Sequence, residues 1–191
     1  ELLDPVRAQY KEVFIVVRCK YQEKTYSRCI YIWVDKDYAA IRGQFQGYPK
    51  KLGSIHLTRP TTVGKAGPRL QPGGIFGATL AAYDHRLIQA QFTIEEESDH
   101  AGFVNALPMV HNRWMPAIEC NGKDSLNEVV TMSGFDAEIG LTFKGSFEID
   151  FLSSPVEEFQ LLVPEELIKG YYRQVGVSWK GGTTLSRSNL A

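Results

Sequence analysis

The chain has 191 residues, a formal net charge of −1, 43% hydrophobic residues and 23% charged residues. This is the length and composition of one globular domain, long enough to bury a core without covalent staples, and it excludes a disordered tail. The near-neutral charge argues against a nucleic-acid binder, which would carry a basic stripe, and no apolar run approaches the ~18 residues of a membrane span.

The chain opens Glu1-Leu2-Leu3-Asp4-Pro5, patterned like the interior of a domain and without an initiator methionine, so a preceding segment is expected. Residues 12 to 20 are β-branched and aromatic and predict a strand. Both of its faces are largely apolar, which predicts burial on two sides. Residues 26 to 34 predict a second strand, and Tyr21 to Lys24 a hairpin loop between them. Tyr38 to Arg42 reads as a short helical or turn segment. Further strands are predicted at 55–59, 75–83, 86–95, 109–119, 127–133, 136–143 and 145–151, with a tight turn at Asp84-His85. Two more short helices are expected, at Asp99–Asn105 and at Val163–Lys169. The second has Pro164, Glu165 and Glu166 in its first turn and Gly170 at its stop. Many short strands with few helices predict a mainly β fold, an antiparallel sandwich or closed barrel. Residues 1–180 read as one domain and 181–191, rich in Gly, Ser and Thr, as a loose tail.

Cys19, Cys29 and Cys120 are too few and too scattered for a disulfide framework, so a reducing, cytoplasmic compartment is expected. The four histidines, His56, His85, His100 and His111, show no metal-ligand spacing, and no metal site is predicted.

The most informative stretch is Gln46-Gly47-Tyr48-Pro49-Lys50-Lys51-Leu52-Gly53. A lysine pair beside proline usually marks a solvated loop. Here the pair is flanked by Phe45, Tyr48 and Leu52, and Pro49 fixes the direction of the chain into Lys50. Such a lysine can form an imine with a ketone, and the protonated imine is an electron sink for an adjacent C–C bond. A free lysine, with a pKa of about 10.4, must first be made less basic, by desolvation or by a neighbouring cation. Lys51 is that neighbour in sequence. Consecutive side chains of an extended segment point to opposite faces, so burial of Lys50 is expected to matter more than repulsion from Lys51.

With these residues in view, the chain resembles the acetoacetate decarboxylase-like superfamily. The resemblance is carried by Tyr10-Lys11-Glu12, Tyr31 to Asp35, Arg42-Gly43, Gly47 to Gly53, Pro72 to Ala78, and the stretch from Asn127-Glu128 to Phe151, in register over about residues 1–180. It implies a cone-like β-barrel with a closed pocket and assembly into homo-oligomers. It makes Lys50 the Schiff-base residue, with no cofactor beyond that covalent imine, Lys51 the residue that tunes its pKa, and Glu12 a pocket carboxylate. Tyr10 and Glu12 lie two apart on an extended segment and share a face, which fits convergence on one cavity. The family's decarboxylases also draw an arginine and a glutamate from a more N-terminal third, which this sequence does not contain.

Gln46 stands where decarboxylases of the family tend to carry a small residue. The Gln-Gly-Tyr-Pro-Lys-Lys form resembles a divergent branch that performs aldol-type condensation and dehydration on keto acids, and a glutamine suits a polar intermediate. The sequence therefore points to an imine-forming lyase acting on a small keto acid, leaning to aldolase-dehydratase chemistry with acetoacetate decarboxylation as the alternative. A non-catalytic small-molecule-binding barrel is a further alternative. Glu12 is assigned with Lys50 as catalytic, Tyr10, Gln46, Arg113 and Trp114 as substrate-binding candidates. Trp114 also reads as core or cavity wall. Neither a nucleic acid nor a membrane is an expected partner.

Overall fold

The computed structural model describes residues 9–104, 106–120, 122–157 and 159–188. The chain forms two compact units. One is built from the segment up to Leu52, Phe103–Ala137 and the segment from Val177 on; the other comprises Gly53–Gly102 and Glu138–Gly176. The elements in order are β1 (Glu12–Tyr21), β2 (Lys24–Val34), α1 (Asp37–Phe45), β3 (Lys50–Leu52), β4 (Ser54–Leu57), β5 (Ile75–Ala82), β6 (His85–Glu97), β7 (Met109–Met115), β8 (Leu126–Met132), β9 (Gly134–Phe151), a 3-10 turn (Phe159–Leu162), β10 (Gly170–Trp179) and β11 (Thr183–Arg187). The mainly β class expected from the sequence holds.

The first unit carries a six-stranded sheet in the order β1-β2-β7-β8-β11, with β3 also paired to β2. β1 and β2 form an antiparallel hairpin, and β3 joins β2 in parallel, setting Lys50 opposite Ile32 and Lys51 opposite Trp33. One face of this sheet buries Cys29, Ile32, Met109, Val130 and Met132, with Phe14, Val16 and Tyr48 packed against them. Helix α1 lies on Val34 through Ala39 and Ala40, whose small side chains bring the helix backbone close to the sheet. The second unit carries a five-stranded sheet, β10-β9-β6-β5-β4, with Phe76, Ile94 and Phe143 at its core.

Four expectations need correction. β1 is not buried on two sides: it is the sheet's edge strand, none of its residues is fully buried, and Val17 is exposed. Residues 99–104 form no helix, and Asn105 lies outside the described residues. Ser98 Oγ instead bonds both the N–H and the carbonyl of His100, and His100 Nδ1 accepts from Gly102 N, local bonds that compete with a helical ladder. Val163–Lys169 is irregular although its ends carry helix signals. Every residue in it is exposed, so a seven-residue segment has no buried face to offset the cost of nucleation. The tail is not loose over its described part: Thr183–Arg187 is β11, paired antiparallel with β8. Residues 189–191 lie outside the described residues. β10 was unforeseen, β9 runs unbroken through the two strands expected at 136–143 and 145–151, and β7 stops at Met115, before Pro116.

The β1–β2 turn places Gln22 and Glu23 at φ of 47° and 64°, the left-handed pair of a type I′ hairpin. Neither residue is suited to it. The double substitution Gln22→Asn, Glu23→Gly is expected to raise the unfolding free energy by about 1 kcal/mol, read from urea unfolding midpoints.

Candidate active site

Lys50 is reached directly from the end of α1. The helix closes with Gln46 as its C-cap and Gly47 at φ 89° beyond it. Gly47 N donates to Gln44 O at 3.0 Å and Tyr48 N to Gly43 O at 3.0 Å, the two bonds of a Schellman cap. Pro49 follows and stops helical propagation, Lys50 N donates to Tyr48 O at 2.8 Å, and the chain enters β3. Gln44 Nε2 donates to Lys50 O at 3.3 Å. Lys50 is therefore fixed by a helix cap, a proline and a strand pairing within a few residues.

Its side chain runs back along α1. A Cβ at residue 43 would lie 2.3 Å from Lys50 Cδ and 2.7 Å from its Cγ and Cε, so only glycine leaves room for the lysine stem. A glycine inside a helix costs about 1 kcal/mol relative to alanine, a sequence signal of close packing that the reading of Arg42-Gly43 did not use.

The Lys50 ammonium is buried, 6% exposed, and donates to Glu12 Oε2 at 3.1 Å. It also faces the Tyr10 ring, 5.2 Å from its centroid, and the Tyr48 ring at 5.8 Å. Glu12, 31% exposed, is the more open partner. The structure thus brings together three residues assigned from the sequence, Lys50, Glu12 and Tyr10, and adds Tyr48. Burial, then the nearby Glu12 charge, pushes the Tyr10 phenol above its ordinary value, with Arg42 opposing. Burial does the same to Tyr48, so both remain proton donors near neutrality. The Cys29 thiol is pushed up to about 12 by burial and the Glu12 charge, with Lys50 opposing, and is inert as a nucleophile at neutral pH.

Lys51 lies on the other face of β3, its Nζ 5.5 Å from the Tyr31 centroid and 5.6 Å from that of Trp33. The opposite-face expectation holds. Gln46 is the half-buried helix cap. Arg113 lies beneath the Lys50 loop, its Nε donating to Phe45 O at 2.6 Å and its Nη1 to Glu128. Trp114 is not brought to the site and is not core: it is 58% exposed, and alternation along β7 sets it opposite His111 and Arg113.

Sequence reasoning passed over Arg42, whose Nη2 donates to Tyr10 Oη at 3.4 Å and so holds a cation beside the aromatic wall. It also passed over His111, 2% exposed, whose ring lies 4.2 Å from that of Tyr48 and whose Nε2 has no hydrogen-bond partner. Burial lowers the His111 pKa to about 4. Among the described residues no group of three or more His, Cys, Asp or Glu side chains can hold a metal ion. No helix of the described residues is long and apolar enough to cross a membrane.

The profile of the family described as acetoacetate decarboxylase (ADC) matches residues 3–188. Among solved structures, the chain is similar to the enduracididine biosynthesis enzyme MppR complexed with pyruvate, at 34% identity and a TM-score of 0.86, over 97% of this chain and 70% of that one. The same enzyme complexed with the condensation product of pyruvate and imidazole 4-carboxaldehyde gives 33% identity and a TM-score of 0.88, over 97% and 69%. An acetoacetate decarboxylase-like enzyme from Sphingomonas wittichii RW1 gives 26% identity and a TM-score of 0.88, over 98% and 73%. No curated protein sequence matches the chain.

Gly43→Ala should displace the Lys50 stem rather than unfold the chain. Circular dichroism is expected to match the wild type, while the rate of Lys50 labelling by an amine-reactive probe changes severalfold. His111 supplies a pH test. Its ordinary pKa of 6.5 is lowered to about 4 in the folded protein, so below pH 6.5 the unfolded chain takes up the proton first. Stability from this group is complete above pH 6.5 and is lost as pH falls toward 4, by about 3 kcal/mol. His111→Leu is expected to remove that part of the slope, measured by urea unfolding across pH 4–7.

Proposed function

This chain belongs to the acetoacetate decarboxylase family, and from that premise we propose that it is a lyase that binds a small keto acid as an imine on Lys50. The observation that carries the reading is the Lys50–Glu12 contact: a buried primary amine with a half-exposed carboxylate 3.1 Å away and phenol rings on two sides. A solvated structural lysine needs none of these, and a lysine that only salt-bridges a ligand carboxylate has no use for a proton acceptor at hydrogen-bond distance.

In the proposed reaction the ammonium passes a proton to Glu12, and the free amine attacks the ketone carbon. The carbinolamine hydroxyl takes the proton back from Glu12 and leaves as water, so ketone and ammonium become iminium and water. The iminium then accepts the electron pair of a neighbouring bond. In condensation, Glu12 removes a proton from the carbon next to the iminium. The enamine adds to an aldehyde carbon, re-forming the iminium, and the new alkoxide takes the proton held by Glu12. Glu12 then removes a second proton from the same α-carbon, and the hydroxyl, protonated by Tyr10 or Glu12, departs as water while the carbon–carbon double bond forms. Water releases the product and returns Lys50. Arg42, exposed and tied to Tyr10, is a cation that can meet the substrate carboxylate.

Among the reactions open to such an iminium we favour condensation and dehydration of pyruvate or a similar keto acid with an aldehyde. The polar groups around Lys50 suit an intermediate that carries a hydroxyl, and the MppR complexes contain pyruvate and a pyruvate–aldehyde condensation product. Decarboxylation of a β-keto acid is the second reading, favoured by the family's own description. In either case Lys51 lies on the face of β3 opposite the reacting amine. We extend the proposal to a cytoplasmic homo-oligomer.

Pyruvate with borohydride is expected to add one stable mass increment, located on Lys50. Lys50→Ala should abolish both this adduct and turnover while keeping the fold. Glu12→Gln should lower kcat by about 10²- to 10⁴-fold, the usual contribution of a positioned acid–base group, with a smaller change in KM. Failure of wild-type protein to be trapped would overturn the imine. On one preparation, CO2 release from acetoacetate without an unsaturated product from pyruvate plus aldehyde would exchange the two readings.

A further inference from the structure

Among the described residues of the first unit, the most deeply buried charge is a carboxylate. Glu128 of β8 is 1% exposed, and it stands between two arginines that the sheet brings into one row. Arg113 of β7 and Arg187 of β11 are each its direct register partner, so the three side chains share one face across three adjacent strands. Glu128 Oε1 accepts from Arg113 Nη1. Its Oε2 accepts from Arg187 Nη2 at 2.9 Å and Nε at 3.1 Å, and from Thr184 Oγ1 at 3.4 Å. The arginines hold the carboxyl below the usual range, Arg187 foremost, so it stays charged at neutral pH.

Arg113 has a second duty. Its Nε binds the carbonyl of Phe45, the last residue of α1, and its Cγ lies where a side chain on Gly47 would need to go, as does Cβ of His111. The next residue, Tyr48, rests on the His111 ring. The underside of the loop that delivers Lys50 is thus formed by His111 and Arg113 of β7. A long, flexible arginine is a poor seat unless its guanidinium is held at the far end, and Glu128 holds it there.

We propose that Glu128 is a positioning residue for Lys50: it locks Arg113 under residues 45–48, and Arg187 of the last strand locks Glu128. The row makes the amine's placement depend on β11, a strand whose nearest described residue lies more than 130 positions from Lys50 in sequence. Its consequence for catalysis rests on the imine reading above; the positioning itself does not.

The test compares wild type with Glu128→Gln, which keeps the shape and removes the charge, and with Arg187→Gln. Arg187 is 63% exposed, and its replacement leaves the Arg113–Glu128 pair in place. Amide hydrogen exchange in a peptide spanning residues 44–50 is expected to speed up by about tenfold in Glu128→Gln and less in Arg187→Gln, with β5 and β6 unchanged. Borohydride trapping with pyruvate should still reach one adduct per chain but more slowly. kcat should fall by about ten- to a hundredfold with KM nearly constant, as for a misplaced reacting group. Unchanged exchange in 44–50 overturns the proposal. So does an equal rise in β5 and β6, or trapping that stops short of one adduct at the wild-type rate, since both mark general loss of folded protein. If Glu128→Gln does not fold, Arg187→Gln decides by the same measurements. Absence of trapping in wild type counts against the imine alone, because the exchange data judge the positioning independently.

Discussion

The stem of Lys50 lies against the backbone of α1 because residue 43 has no side chain. That close approach sets the rest of the site. It draws a primary amine out of water, and a buried ammonium needs a partner, which Glu12 supplies from β1. It also requires the helix to lie tight on the sheet, which Ala39 and Ala40 on Val34 provide. The aromatic rings of Tyr10 and Tyr48 then occupy the space on either side of the amine.

The lysine is held from three directions by different kinds of force. The Schellman cap and Pro49 are local and direct the chain out of α1. The parallel pairing of β3 with β2 puts Lys50 and Lys51 on opposite faces, and this separates the two cations more effectively than any side-chain choice. The seat beneath the loop comes from β7, through His111 and Arg113. The first is encoded within a few residues, and the second joins Lys50 to Ile32 on the preceding strand. The third joins segments far apart in sequence and includes a fully buried carboxylate, so it is the part most sensitive to distant substitution.

Electrostatics divides the same face into two zones. Near Lys50 one cation meets one carboxylate beside phenols that burial keeps protonated. In the proposed reaction this arrangement moves protons at neutral pH. Around Glu128 one carboxylate meets two guanidiniums that cannot lose their protons, an arrangement for holding position. His111 sits beside the first zone as a neutral ring, because burial without a partner opposes its charge.

The sequence by itself was enough for the β class and for singling out Lys50, while the family resemblance is what joined Tyr10 and Glu12 to it. Strand periodicity gives the class, the fixed backbone of Pro49 directs Lys50, and residues two apart on an extended segment share a face. Local rules misled where their signals lacked a tertiary partner. Val163–Lys169 has a helix's ends but no buried face, and β1 has a core strand's composition but an edge position. The tertiary structure alone decided that Arg113 is committed to Phe45 and Glu128, that Trp114 faces away, and that Arg187 belongs to the same row. Partners across a sheet are chosen by strand order and register, and these depend on contacts between segments that no local pattern specifies.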